Sequence, residues 1–247
     1  MARFVIFSAG YNCAKYVRYH MESVSRQTYG NYVHVVVDDC STDNTFEEIQ
    51  EYKTDKTVVY RTKKNVTWIP NAVEYIDRHI ESDEDILCLL DLDDWLAHDR
   101  VMEVENRVFT KEDCWITHSA YERMKRQGVP GKVWNKPYSK QVLKNRSFRK
   151  EKLKFMHLRC FKAFLWKALD KDDLRGPDGE YAKCTYDFGV LFPVLEMTPS
   201  PKIRFINSCL HIYNLENPLN DRTLRKPLQI SLGDWFRNKR SYKVLER

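Results

Sequence analysis

Ile86-Leu87-Cys88-Leu89-Leu90, running straight into Asp91-Leu92-Asp93-Asp94, is the stretch that decides how this chain folds. Five consecutive apolar residues read as a buried strand, and carboxylates at the carboxyl end of such a strand stand where α/β sheets bind ligands. Three carboxylates within four residues repel one another unless a cation or hydrogen-bond donors hold them, and Mg²⁺ or Mn²⁺ prefers such oxygen ligands. Taken alone the motif is weak, because short Asp-x-Asp strings also arise in solvated turns and as helix caps.

A second acidic strand end strengthens the reading. Val33-His34-Val35-Val36-Val37 leads into Asp38-Asp39 and then Cys40-Ser41-Thr42-Asp43-Asn44-Thr45, while Phe4-Val5-Ile6-Phe7 leads into Ser8-Ala9-Gly10-Tyr11-Asn12. Between these runs, apolar residues recur at helical spacing: Val17, Met21 and Val24 predict a helix over 14–27. Ile69, Ala72, Val73, Ile76 and Ile80 predict another over 69–80, and Val101, Val104 and Val108 a third over 98–109. Val58-Val59-Tyr60 and Trp115-Ile116-Thr117 read as further strands. Strands alternating with helices imply parallel pairing through right-handed crossovers, which brings the three turns to one edge of one sheet.

With these residues in view, the chain resembles a family 2 glycosyltransferase of the GT-A fold. The resemblance rests on Tyr11-Asn12, on Val37-Asp38-Asp39-Cys40-Ser41-Thr42-Asp43 and on Leu90-Asp91-Leu92-Asp93-Asp94-Trp95-Leu96, in that order. It continues through Met156-His157-Leu158-Arg159, Tyr186-Asp187-Phe188 and the late run from Tyr213 to Asp221. The fold it implies is a single, mostly parallel central sheet flanked by helices, one domain over 1–247. Within it, 1–118 forms the nucleotide-sugar half and 119–221 the acceptor half, with 222–247 a basic tail.

The activity implied is metal-dependent, inverting transfer of a sugar from a nucleoside diphosphate, most plausibly UDP, to a hydroxyl of a glycan, lipid-linked or protein-linked acceptor. By resemblance, Ala9, Tyr11, Asn12 and Asp39 receive the nucleobase, with Tyr11 stacking and Asp39 accepting the base N–H. Asp91, Leu92 and Asn71 face ribose or diphosphate, and Asp93 holds Mn²⁺ or Mg²⁺. Asp187 sits where the family carries its general base, although its local sequence alone favours a helix cap. Many relatives carry a late Tyr-Arg-x-His motif, but here Asn214-Leu215-Glu216 follows Tyr213, so His211 is the nearest substitute as metal ligand. His157 matches an acceptor-side histidine. Asp94 suits a cap on the next helix, Trp95 suits packing, and Lys63 and Lys64 suit a solvated face.

Composition sets outer bounds. The 247 residues, 43% hydrophobic and 13% aromatic, exclude a disordered chain, and a mean hydropathy of −0.61 with 31% charge points to a water-soluble one. The start at Met1-Ala2-Arg3-Phe4 lacks a long apolar leader core, from which a cytoplasmic protein is expected. Seven scattered cysteines, with no Cys-x-x-Cys, read as reduced thiols rather than a zinc site or disulfide framework.

Residues 122–154 carry twelve Lys or Arg with Gly128-Val129-Pro130-Gly131 and Pro137, and read as a long basic loop, either solvated or closing over a diphosphate. Ile203-Arg204-Phe205-Ile206 and Leu210-His211-Ile212-Tyr213 read as two strands. Leu228, Ile230, Leu232, Trp235 and Phe236 predict a docked terminal helix whose basic neighbours permit a weak peripheral membrane contact.

Three other readings compete. Leu90-Asp91-Leu92-Asp93 resembles the nucleophile strand of haloacid-dehalogenase phosphatases, but Asp94-Trp95 replaces the expected Gly-Thr. A nucleotidyltransferase would open on a Gly-rich phosphate loop, which Gly10 alone does not supply. The net charge of +6 admits nucleic-acid binding, yet no reading motif or aromatic stacking platform accompanies it, so no nucleic-acid partner is expected.

Overall fold

The computed structural model describes residues 1–126, 129–219 and 221–247; of the residues singled out above, Gly128 and Asn220 lie outside them. Among the described residues, nine strands form one sheet: β1 (Phe4–Gly10), β2 (Tyr32–Asp38), β3 (Thr57–Arg61), β4 (Ile86–Leu89), β5 (Trp95–Leu96), β6 (Ile116–Met124), β7 (Lys132–Trp134), β8 (Arg159–Lys162) and β9 (Ile203–Asn214). The order is β3-β2-β1-β4-β8-β6-β9-β5, with β7 paired to β6. The block β3-β2-β1-β4 is parallel throughout, as is the long β6–β9 ladder; β8, β5 and β7 join antiparallel.

The apolar runs are continuous because helices cover both faces of the sheet. Alternate residues of β1 and β4 point to opposite sides: Val5, Phe7, Leu87 and Leu89 lie in one buried cluster, Phe4, Ile6, Ile86 and Cys88 in another. Helix α1 (Ala14–Ser25) buries Val17, Met21 and Val24 as its spacing predicts. Helices α2 (Thr45–Tyr52), α3 (Trp68–Tyr75) and α4 (Val101–Lys111) follow. The helix expected over 69–80 stops at Tyr75 and continues as a 3₁₀ turn, Asp77–His79.

Two expectations change in the second half. Residues 122–154 are not one loop: β6 runs on to Met124, β7 pairs back on it, and a short helix α5 (Lys140–Asn145) follows. Two of its arginines are structural. Arg146 Nη2 donates to the carbonyls of Leu195, Glu196 and Thr198 at 3.2, 2.5 and 3.1 Å, satisfying the end of α7 (Tyr186–Met197). Arg149 pairs with Glu196 at 2.6 Å, and both side chains are largely buried. The segment thus packs on α7, which beyond its first turn is apolar except for Glu196 and is buried from Gly189 to Met197.

The second change is that 203–214 form one strand, with register shifts opposite Ser119–Tyr121. Its far end pairs with β5, setting Leu96 opposite His211. Helix α6 (Ala163–Ala168) follows β8, and α8 (Asp221–Leu224) precedes α9 (Lys226–Asn238), which buries Leu232, Gly233 and Phe236. Gly189 and Gly233 permit this docking: a Cβ on either would lie 3.0 or 3.2 Å from the ring of Phe236 or Phe188. Leu228, Ile230 and Trp235 stay exposed. Among the described residues, no helix is long and apolar enough to cross a membrane.

Candidate active site

Strands β1, β2 and β4 end together, Gly10 lying opposite Asp38 and Phe7 opposite Leu89, so their turns form one rim. The polar residues of 39–45 stitch two of these turns together. Asn12 N donates to Ser41 Oγ at 2.9 Å, Cys13 N to Thr45 Oγ1 at 2.7 Å, and Thr42 N to Asn12 Oδ1 at 2.8 Å. Asp43 receives the amides of Ala14 and Thr45. Asp38 is sealed beneath, paired with Arg61 at 3.0 Å.

Asp39 is nearly buried and shapes the next wall. Its Oδ1 accepts from Thr62 Oγ1 at 3.1 Å and Val66 N at 3.0 Å, and its Oδ2 from Thr67 N at 2.8 Å. Thr67 holds φ 71°, Thr185 φ 66°, Cys40 φ 62° and Asn12 φ 53°. Such left-handed values cost on the order of 1–3 kcal/mol for residues with a Cβ. All four adjoin residues of a single pocket: Tyr11, Asp39, Trp68 and Tyr186.

That pocket collects Ala9, Tyr11, Asp39, Asn71, Asp91, Asp93 and Asp187 of the residues singled out from sequence. Asn12, Leu92, His157 and His211 are not on its wall. Leu92 is buried in the core with Val17 and Ile49, and it leaves no room at Gly10, where a Cβ would stand 2.7 Å from the Leu92 Cβ. Asn71 donates to Thr67 O at 3.0 Å. Lys63 and Lys64 are exposed. Trp95 packs against Tyr19, with centroids 5.5 Å apart.

The four-residue acidic motif splits into three environments. Asp91 is held by protein at both oxygens: Tyr186 Oη donates to Oδ1 at 2.5 Å and Arg159 Nη2 to Oδ2 at 3.1 Å. Asp93 accepts from Asn217 Nδ2 at 2.8 Å, and burial, then the Asp94 and Asp91 charges, push its carboxyl up to about 8. Asp94 does not cap a helix. It is buried, accepting from Asn214 N at 2.8 Å and lying 2.8 Å from His211 Nε2.

Burial, reinforced by Arg159, brings His211 down to about 3, so the contact is a hydrogen bond with a neutral imidazole rather than an ion pair. His157 lies tilted against His211 at 4.4 Å and is likewise pushed down by burial and Arg159. Asp94, His157 and His211 offer ligand atoms within 4.8 Å of one another, a cluster able to hold a metal ion.

Sequence reasoning gave no role to Trp68, which stacks on Tyr186 at 3.8 Å and 9°, or to Arg159. Trp68 follows the polar run from Thr62 to Asn65 and Arg159 follows Phe155-Met156-His157-Leu158, neither with a periodic signal. Only the register of β8 against β4, Arg159 opposite Leu89, reveals the arginine's place.

Residues 6–171 match the model for glycosyl transferase family 2. The chain belongs to that family. An uncharacterized glycosyltransferase of Rickettsia bellii (strain RML369-C) is 28% identical over 118 residues, 48% of this chain and 16% of that protein. Among solved structures, S. aureus TarS 1-349 in complex with UDP-GlcNAc aligns with a TM-score of 0.64 at 17% identity, over 87% of this chain and 59% of that one. The mannosyltransferase PcManGT from Pyrobaculum calidifontis, in complex with GDP-Man and Mn²⁺, aligns at 0.59 and 15%, over 97% and 66%. At these identities the likeness is one of fold, and the sheet with its flanking helices is a GT-A architecture. The chain spans about a sixth of the curated relative it matches.

Proposed function

We propose that this family 2 protein transfers a sugar from a nucleoside-diphosphate donor, UDP-linked, to a hydroxyl of a glycan, lipid-linked or protein-linked acceptor, inverting the anomeric centre. The observation that carries the reading is the convergence of Tyr11, Asp39, Asp91, Asp93 and Asp187 on one pocket. These side chains come from three strand ends and one helix start.

In this reading Tyr11, 38% exposed at the rim, stacks on the base, and Asp39 accepts a base N–H with the lone pairs its loop contacts leave over. Ala9 and Asn71 line the base and ribose subsite, and Asn12 and Leu92 support its wall from behind. The chemistry of the donor set fits a divalent ion: a carboxyl raised to about 8 between two others gains most from a neighbouring cation. Asp93 would hold Mn²⁺ or Mg²⁺, with His211 of the Asp94–His157–His211 cluster the second candidate. Such an ion supplies Lewis-acid neutralisation of the departing diphosphate.

Asp187, at the first turn of α7, takes the acceptor proton as the hydroxyl attacks, and a direct displacement needs no covalent sugar intermediate. His157, behind that wall, supports the acceptor side. Asp91 serves poorly as the nucleophile of a phosphatase, since both its oxygens are engaged by Tyr186 and Arg159. Calorimetric titration with UDP, GDP and their sugars, with Mn²⁺, Mg²⁺ or EDTA, tests the proposal. Metal-dependent binding of one nucleotide is expected, and binding of none in any metal would overturn it.

A further inference from the structure

Arg159 is 1% exposed, and every nitrogen of its guanidinium has a partner. Nη2 donates to Asp91 Oδ2 at 3.1 Å and meets His157 Nδ1 at 3.0 Å. Nη1 donates to the Tyr186 hydroxyl, and Nε donates to the Met156 carbonyl and lies 3.5 Å from Asp187 Oδ1. The guanidinium also sits 5.1 Å from the Tyr186 ring centroid. One planar group therefore spans the end of β4, the start of α7 and the segment before β8. Burying such a cation is unfavourable without compensating carboxylates.

We propose that Arg159 is a positioning residue for transfer: it fixes the proposed base Asp187 relative to Asp91, and so sets the acceptor hydroxyl in line with the donor. The inference rests on the reading of Asp187 as base. A lysine could not do this, because an ammonium lacks the rigid fork that reaches two carboxylates at once. Asp91 has a second tether in the Tyr186 hydroxyl at 2.5 Å, so loss of Arg159 disturbs the geometry between donor and base more than it disturbs donor binding. A misplacement of about 1 Å in such a geometry costs roughly 100-fold in rate.

The test uses the full chain with Arg159→Lys, Arg159→Ala, Tyr186→Phe and Asp187→Asn. Affinity for UDP or GDP with Mn²⁺ is measured by calorimetry, and turnover by nucleotide release from UDP-N-acetylglucosamine or GDP-mannose. Arg159→Lys should lower kcat roughly 100-fold while nucleotide affinity stays within about threefold. Millimolar guanidinium should restore part of the rate of Arg159→Ala.

Wild-type kcat in Arg159→Lys, or parallel loss of kcat and nucleotide affinity, would overturn the proposal. If Arg159→Ala does not fold, Arg159→Lys carries the test. Tyr186→Phe should weaken nucleotide binding more than Arg159→Lys does, and the reverse order would also count against the proposal. Full turnover by Asp187→Asn would instead remove the base reading, leaving the two failures distinct.

Discussion

Replacing Asp93 with asparagine should stabilise the protein in EDTA while removing its response to Mn²⁺. The carboxyl rises from 3.8 to about 8 on folding. Below about pH 4 both folded and unfolded states hold the proton, and Asp93 makes no difference to stability. Between about pH 4 and pH 8 the unfolded chain releases its proton while the folded chain keeps it, so stability falls as pH rises.

A rise of that size corresponds to at most roughly 6 kcal/mol. Asp93 faces the pocket and is screened by water, which reduces this to about 2 kcal/mol. For a chain of this size that is about 4–8 °C in Tm. The amide is close to isosteric and keeps an oxygen for Asn217. Thermal unfolding of both proteins between about pH 5 and pH 9 should show a gap that widens up to about pH 8 and then levels off. Mn²⁺ should raise the Tm of the wild type alone. A gap independent of pH, or an Asp93→Asn variant that Mn²⁺ still stabilises, refutes the reasoning.

Other outcomes follow from single contacts. Tyr11→Ala should weaken nucleotide binding by about 1–3 kcal/mol if its ring stacks on the base; unchanged calorimetric affinity would place the base elsewhere. Asp187→Asn should cost roughly 10²–10⁴ in kcat with donor affinity retained, read by the same nucleotide-release assay. Glu196→Gln strips the largely buried Arg149 of its counter-ion and should cost about 3 kcal/mol in urea unfolding. Gly10→Ala pushes a methyl to 2.7 Å from the Leu92 Cβ and 3.0 Å from Cys13 Sγ, and should destabilise by about 1–3 kcal/mol while weakening nucleotide binding.

The sequence alone determined strands β1 to β4 with their parallel pairing, the helices α1, α3 and α4, and the meeting of three acidic or polar turns; the order β3-β2-β1-β4 and helix α2 came from the structure. These depend on local signals: continuous apolar runs, a helical period, and turn residues at strand ends. The same signals put Tyr11, Asp39, Asp91 and Asp93 in turns after strands, while their roles and that of Ala9 were given only by the resemblance to the family.

Only the tertiary structure decided what each carboxylate of Asp91-Leu92-Asp93-Asp94 does. Four adjacent letters diverge because successive side chains leave a turn in different directions. Asp91 meets Arg159 and Tyr186, 68 and 95 residues away, Asp93 meets Asn217, and Asp94 meets His211 through the β5–β9 pairing. The basic segment before β8 misled for the same reason. A lysine in water and an arginine closing the end of a buried helix carry the same charge, and burial, which separates them, is a property of the packed chain.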